Sequence, residues 1–344
     1  MQIAGLKVAV TGGAGFIGSN LVDYLIKRGN HVIVIDNLAT GMLENISDPS
    51  NDGKYKFFKY DVRNRNELLE AYKSVDVVFH LATHCVRLSL NQPSINHEVN
   101  ATGTLNALIA AKKAGIKRFI YCSSSEVFGE AATFKGLNEV LLNEESPKRP
   151  TTVYGGSKLA GELYTLAFHK TYGLPSIVVR PFNTYGPRSH VLGAYGEVIP
   201  RFAVFLKAGR KPTIFGDGSQ KRDFTYVEDT ARALVAAAEE DSLLGDSLNI
   251  AHGQQVSVLE LAQKISDILG VKQDFKYLPE RPGDIKSLGA EITKSQKILR
   301  EKLSTDINEG LEKYLKWLDN QNLDYEMLAN QLADKNWQQT EGDL

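Results

Sequence analysis

Tyr154 and Lys158, four residues apart in the stretch YGGSK, carry the clearest chemical meaning in this chain. On a helix, residues at this spacing share one face. A phenol with a pKa of about 10 is a poor base, but an ammonium ion on the same face, beside the positive ring of a bound cofactor, would depress it toward neutrality. The pair then reads as a proton-transfer device; its bland alternative is a surface Tyr–Lys contact. A second candidate is the run Ser123, Ser124 and Ser125, followed by Glu126, at the end of an apolar strand. In open α/β sheets ligands bind beyond the carboxyl ends of the strands, although a polar strand end can also serve only as a cap. A third set is Asn183, at the end of another strand, with Arg222 in KRDFTYVED and Arg281 and Asp284 in ERPGD. Each can be a simple solvated group; together they suit a diphosphate and a ribose.

The elements that must position these groups begin with KVAVTGGAGFIGSNLVDYLIKRGNHVIVIDN, from Lys7 to Asn37. An apolar strand breaks on glycines, resumes as a helix and returns as a second apolar strand ending at Asp36. This is the layout of a dinucleotide-binding βαβ unit. Gly12 allows the tight turn, Gly15 lets the backbone approach a pyrophosphate, and Gly18 lets the helix pack closely on the strand. The helix N-terminus offers free N–H groups and the positive end of its dipole to phosphates. Asp36 can take ribose hydroxyls and would repel a 2′-phosphate, so the expected cofactor is NAD rather than NADP.

Further along, YKFFKY (Tyr55 to Tyr60) predicts a short strand before Asp61, and Asn66 to Tyr72 a helix. VDVVFHLAT (Val75 to Thr83) reads as a strand buried on both faces of a parallel sheet. A helix from about Ile95 to Ala114, a strand from Arg118 into the serines, a long helix from near Tyr154 and a strand from Ser176 to Arg188 follow. Beyond Arg188 come a helix, a strand–turn–strand in PTIFGDGSQKRDFTYVED, another helix, the strand SLNIAH and an amphipathic helix. The alternation predicts an α/β protein: a Rossmann-type doubly wound parallel sheet with a smaller mixed α/β C-terminal substrate domain. Residues 1–188 would form the NAD-binding domain, with a returning contribution from about 222–252. Residues 189–344 would be mainly substrate domain and a helical tail.

The totals narrow the function. The 344 residues carry a net charge of −1, so no global field favours nucleic acid or an anionic membrane. Two cysteines, Cys85 and Cys122, stand far apart and make no disulfide scaffold, which suits a reducing compartment. No apolar run approaches the ~20 residues of a membrane span, and the N-terminus lacks a secretory-leader pattern. A cytoplasmic location is expected, and no metal site is predicted.

TGGAGFIG, HLAT, SSSEVFG, YGGSK, RPFNTYGPR, GDGSQKRDFTYVED and RPGD occur in this order. Together they resemble the extended short-chain dehydrogenase/reductase family, the nucleotide-sugar epimerases and dehydratases, from about Lys7 to about Arg300. The resemblance implies an enzyme with a tightly held NAD that is reduced and reoxidised within one turnover. It implies that Tyr154 deprotonates a sugar hydroxyl, that Lys158 holds the nicotinamide ribose and tunes Tyr154, and that Ser124 shares the substrate proton. Asp61 and Val62 match adenine contacts. Phe16, Ile17, Asn37, Leu81, Ala82 and Thr83 fall in the cofactor-binding stretches, and Asn100 in NATGT, also counted with the cofactor contacts, matches a residue bridging the central strands near the active site. Asn183 and Arg222 match diphosphate contacts, Arg281 and Asp284 lie near the nucleotide, and Ser125 and Val198 stand on the substrate side. The partner so implied is a nucleotide-diphosphate sugar, a UDP-hexose above all. Where the family usually reads HLAA, this chain has Thr83 followed by His84, which can face the substrate or merely occupy a loop.

An oxidised 4-keto sugar has three fates: re-reduction from the other face, loss of a C6 carboxylate, or loss of a C6 hydroxyl. Dehydratases resemble TDEVYG, and this chain has Ser125 at the aspartate position, which argues against 4,6-dehydration. Glu126 is retained, and serine followed by glutamate is similar to the UDP-glucuronate decarboxylases. The surroundings YGGSKLAGE, GEVIPRF and DNLATG are similar to epimerases. The expected function is therefore 4-epimerisation, with decarboxylation or another keto-sugar reaction as the alternative, and an NAD- and nucleotide-sugar-binding protein without turnover as the reading from a different class. The family also implies a homodimer through the helices from about Ile95 and from Tyr154, whose exposed faces would carry Ala107, Ala111, Leu159 and Leu163, although burial against the sheet explains these residues equally well.

Overall fold

Strongly apolar strands followed by glycine-broken helices leave the chain one economical solution, strands side by side with helices on both faces. The computed structural model describes residues 1–46, 53–129, 141–192, 196–280, 285–299 and 303–332 and adopts this solution. In chain order its elements are β1 (Lys7–Thr11), α1 (Phe16–Lys27), β2 (His31–Ile35), β3 (Tyr55–Phe58), α2 (Arg65–Ala71), β4 (Val77–His80), α3 (Val86–Ser89), α4 (Pro93–His97), α5 (Gly103–Ala114), β5 (Arg118–Cys122) and β6 (Leu141–Leu142). Next come α6 (Val153–Tyr172), β7 (Ser176–Pro181), β8 (Thr184–Tyr185), α7 (Val198–Lys207), β9 (Thr213–Phe215), β10 (Lys221–Asp223), β11 (Thr225–Tyr226) and α8 (Val227–Glu239). The chain continues through β12 (Ser247–Ile250), β13 (Gln255–Ser257), α9 (Val258–Leu269), β14 (Lys276–Leu278), β15 (Ser287–Ala290), α10 (Thr293–Ile298), α11 (Ile307–Asp319) and α12 (Tyr325–Gln331).

Seven parallel strands make the main sheet, in the order β12-β7-β5-β4-β1-β2-β3. The winding reverses between β1 and β4, which opens a crevice at the carboxyl ends of the strands. Val8 and Val10 point to one face of β1 and join the apolar layer under α1 and α8. Ala9 points to the other and joins the layer under α2 and α5. The period-2 alternation of a strand is thus used on both faces.

β4 is shorter than its apolar run suggests. Leu81 to Thr83 leave the ladder and turn into the crevice, and Leu81 N–H still donates to Thr11 O at 3.1 Å. The helix expected from Ile95 is continuous from Pro93 to Ala114, but one wide π-type turn, Glu98–Thr102, interrupts its α geometry. Such turns re-aim side chains, frequently at functional sites; this one carries Asn100.

β9 and β10 do not pair with each other. Gly216 and Gly218, both at positive φ, send the chain around, so β9 pairs with β14 while β10 lies between β13 and β15. A further apolar layer in this half gathers Tyr185, Phe202, Leu206, Ile214, Tyr226, Leu261, Ile265 and residues of α11. Ala107 and Ala111 lie wholly in the sheet core. Of the four residues expected on exposed helix faces, Leu163 is the one at the surface, at 58% exposure, while Leu159 is half-buried.

Candidate active site

Asp36, the glycine turn, the serine run and the Tyr–Lys pair meet along one cleft of about 680 Å³, between the ends of the main-sheet strands and the C-terminal half. That volume suits a sizeable organic ligand. The cleft is lined at one end by Gly12, Gly15, Phe16, Ile17, Gly18, Asp36, Asn37, Asp61, Val62, Leu81, Ala82 and Thr83. A Cβ on Gly12, where φ is +69°, would stand 2.8 Å from Ala82 N, and a Cβ on Gly18 would run into the Gly12 carbonyl. The absence of side chains here keeps the backbone open as a cradle for a pyrophosphate. Asp36 accepts from Ala14 N–H at 3.1 Å and Leu38 N–H at 2.9 Å. Burial pushes its carboxyl up and these backbone donors hold it back. The cradle and the carboxylate at the end of β2 fit an NAD.

Asp61 is held hard. Arg63 donates to both its oxygens, at 3.0 and 2.8 Å, and Asn37 Nδ2 adds a bond of 2.9 Å. The Arg63 guanidinium draws the carboxyl down to about 2. Asn100 does not reach the cleft. It is buried at 1% exposure, its Oδ1 accepting from Thr83 Oγ1 and His84 N–H while its Nδ2 donates to His84 O. The π-type turn aims it at the Thr83–His84 backbone of the cleft wall. Asn96 Nδ2 donates to the same His84 carbonyl, and His84 itself lines the cleft.

Tyr154 and Lys158 enter from the first turns of α6, which Thr152 caps by accepting from Gly155 N–H at 3.1 Å. Lys158 is buried, and its Nζ donates to Cys122 O at 2.9 Å at the end of β5. Burial lowers its ammonium group to about 8. Nζ stands 6.0 Å from the centre of the Tyr154 ring. In the protein alone, without the cofactor's positive ring, the Tyr154 phenol is displaced upward. Burial raises it above the ordinary range, and a hydrogen bond with Ser124 only partly opposes this. The physical reason is that Lys158 is engaged by a carbonyl and the cleft, with protein alone, offers too little positive charge to outweigh desolvation. Ser124 Oγ also accepts from Glu126 N–H at 3.2 Å, which fixes the turn after β5 and leaves Glu126 and Ser125 on the cleft wall. Ser123 Oγ is buried in the same wall without a hydrogen-bond partner among the described residues.

Asn183, Val198 and Arg222 line the far end. Asn183 Nδ2 donates to Asp223 O at 3.2 Å, and Arg222 Nη1 is anchored on Ile285 O at 2.7 Å. Arg281 and Asp284 lie outside the described residues. The motifs did not single out Arg87, His190, Glu197 and Arg201, which also line the cleft. Glu197 and Arg201 fall within GEVIPRF, quoted above only for its likeness to epimerases, while Arg87 and His190 stand in none of the motifs.

A family model described as NAD dependent epimerase/dehydratase family matches residues 8–251. The chain is 33% identical to the UDP-glucose 4-epimerase of Mycolicibacterium smegmatis, over 92% of this chain and 99% of that one. It is 33% identical to UDP-glucuronic acid decarboxylase 1 of Arabidopsis thaliana, over 89% of this chain and 68% of that one. Among solved structures it resembles the UDP-N-acetylglucosamine 4-epimerase from Methanobrevibacter ruminantium M1 in complex with UDP-N-acetylmuramic acid. The TM-score there is 0.85 at 38% identity, covering 92% of this chain and 99% of that one.

Proposed function

Because this chain belongs to the NAD-dependent epimerase/dehydratase family, as an enzyme with NAD for its cofactor, we propose that it is a 4-epimerase of a UDP-hexose. The observation that carries this reading is the convergence of Ser124, Tyr154 and Lys158 on one cleft with the glycine cradle. NAD, when bound, supplies a reversible hydride acceptor. Ser124 orients the C4 hydroxyl through the hydrogen bond it already shares with Tyr154. Tyr154, as phenolate, takes the hydroxyl proton and later returns it, which is general acid–base catalysis. The Lys158 cation, fixed by Cys122 O, stabilises that phenolate. Arg222 and Asn183 hold the diphosphate while the hexosyl ring turns over between the two proton transfers.

Glu126 favours a second reading. A carboxylate beside Ser124 is unnecessary for epimerisation but suits chemistry at C5 and C6, as in a decarboxylase. Purified protein offered UDP-glucose, UDP-N-acetylglucosamine and UDP-glucuronate separately, without added reductant, separates the two. A product of unchanged mass with an inverted C4 proton signal supports the epimerase. Loss of carbon dioxide from UDP-glucuronate, or of water from any of them, replaces it with the lyase. We also propose a homodimer with a shared face on α5 and α6, and a cytoplasmic setting. Among the described residues no helix is long and apolar enough to cross a membrane.

A further inference from the structure

The cleft carries charges that the proton-transfer chemistry does not use. Arg87 comes from α3 in the sheet half, and Glu197 from the start of α7 in the other half; both line the cleft. Glu197 occupies the N-cap position of α7, where shorter polar side chains commonly accept from the first N–H groups of the helix. It makes no such bond, and it lines the cleft instead. Burial pushes its carboxyl up to about 7, and Arg87 pulls it the other way. These groups share the cleft with the reaction centre, since Cys85, Arg87 and Glu197 line it together with Ser124, Glu126 and Tyr154. Burial lowers His84 and His190, so neither adds a cation near neutrality. Arg201, four residues beyond Glu197, is a second guanidinium of this wall; Lys158 and Arg222 line the same cleft but are committed, on the epimerase reading, to Tyr154 and to the diphosphate. Two carboxylates, Glu126 and Glu197, therefore answer two guanidinium groups.

Beyond those two committed cations, such a wall has donors and acceptors for hydroxyls but no surplus positive charge. A sugar carboxylate brought here would lose its water in front of two like charges, which is a repulsive element of specificity. On the reading that this cleft binds a UDP-hexose, we infer that Arg87 and Glu197 are specificity-determining residues. They bind an uncharged hexosyl group across the cleft, Arg87 donating to its hydroxyls and Glu197 accepting from them, and they turn a uronate away.

The test is calorimetric binding to the NAD-loaded Tyr154→Phe protein, which removes turnover, at about pH 8, where Glu197 is ionised. UDP-glucose and UDP-N-acetylglucosamine should bind at least about 10-fold more tightly than UDP-glucuronate, and Glu197→Gln in the same background should narrow that ratio by about 10-fold. A purely structural Glu197 would weaken all three sugars alike. Equal or tighter binding of UDP-glucuronate to the parent protein overturns the inference, and so does an unmoved ratio in the Gln variant. Should the Gln variant fail to fold, the parent ratio alone decides. C4 inversion of UDP-glucuronate as fast as that of UDP-glucose sinks this inference and leaves the epimerase reading standing. Selective binding without any C4 inversion does the reverse.

Discussion

Tyr154 is a base that the protein alone does not activate. Its phenol is held high by burial, and Lys158 is bound to the Cys122 carbonyl rather than to the phenol oxygen. A bound cation in the cleft is the missing contribution, and NAD carries one on its nicotinamide ring. The tyrosinate absorbance difference between wild type and Tyr154→Phe should therefore appear at lower pH with NAD than without it; coincident curves refute this activation. Tyr154→Phe should lower kcat by about 10²–10⁴-fold, the usual reach of a lost acid–base group. Lys158 gives a stability prediction with a definite sign. Its native value of about 8 lies below the unfolded value of about 10.4, so between these limits the unfolded chain binds more protons. Stability of the ligand-free protein then rises with pH across that window. Denaturant melts at about pH 7.5 and 9.5 should show a larger gain for wild type than for Lys158→Met.

At the scale of elements, α1 is placed by glycines and α6 by an ion pair. A methyl on Gly18 would meet the Gly12 carbonyl, so the helix would have to move off β1. Gly18→Ala should cost about 1–3 kcal/mol, the usual range for overpacking, and should also weaken NAD binding. A melting temperature equal to wild type would show that the helix has room. On the opposite side of the sheet, Arg180 on β7 and Glu162 on α6 make two bonds of 2.7 Å, both residues being at most 2% exposed. Removing one partner leaves an uncompensated buried charge. Glu162→Ala should cost about 3–5 kcal/mol, whereas replacing both residues with apolar ones of similar volume should cost far less. Comparable losses in single and double variants would mean that packing, rather than charge, dominates this contact.

For the whole molecule, the cleft exists because the chain leaves the sheet and comes back. After β7 it builds α7, β9 and β10, then returns through α8 and β12 to the edge of the same sheet. The C-terminal segment is tied to that return, since buried Asp229 on α8 accepts from Thr305 N–H at 2.9 Å and is paired with Arg232. The proposed dimer belongs to this scale as well. Leu163, exposed on α6, is the residue to probe. Sedimentation should give twice the chain mass for wild type and the single-chain mass for Leu163→Glu, because a charge cannot be buried in a self-complementary apolar face without a partner. A wild-type monomer ends the proposal.

Read alone, the amino-acid order determined the doubly wound sheet, the glycine cradle with Asp36, and the placing of Tyr154, Lys158, Ser124 and Glu126 on one site. These are local matters. Periodicity, glycine positions and an i,i+4 spacing act over a few residues, and a parallel sheet brings all its strand ends to one edge. Tertiary structure decided what depends on distant neighbours. It put Asn100 behind the Thr83–His84 backbone, where it holds the cleft wall. It raised the Tyr154 phenol, because burial is a property of the whole fold and the nearest cation already had a carbonyl to hold. It separated β9 from β10, and it brought Arg87 and Glu197, more than a hundred residues apart, to one wall. No local pattern could announce that pairing, since it arises only when the two halves of the chain close on the same cleft.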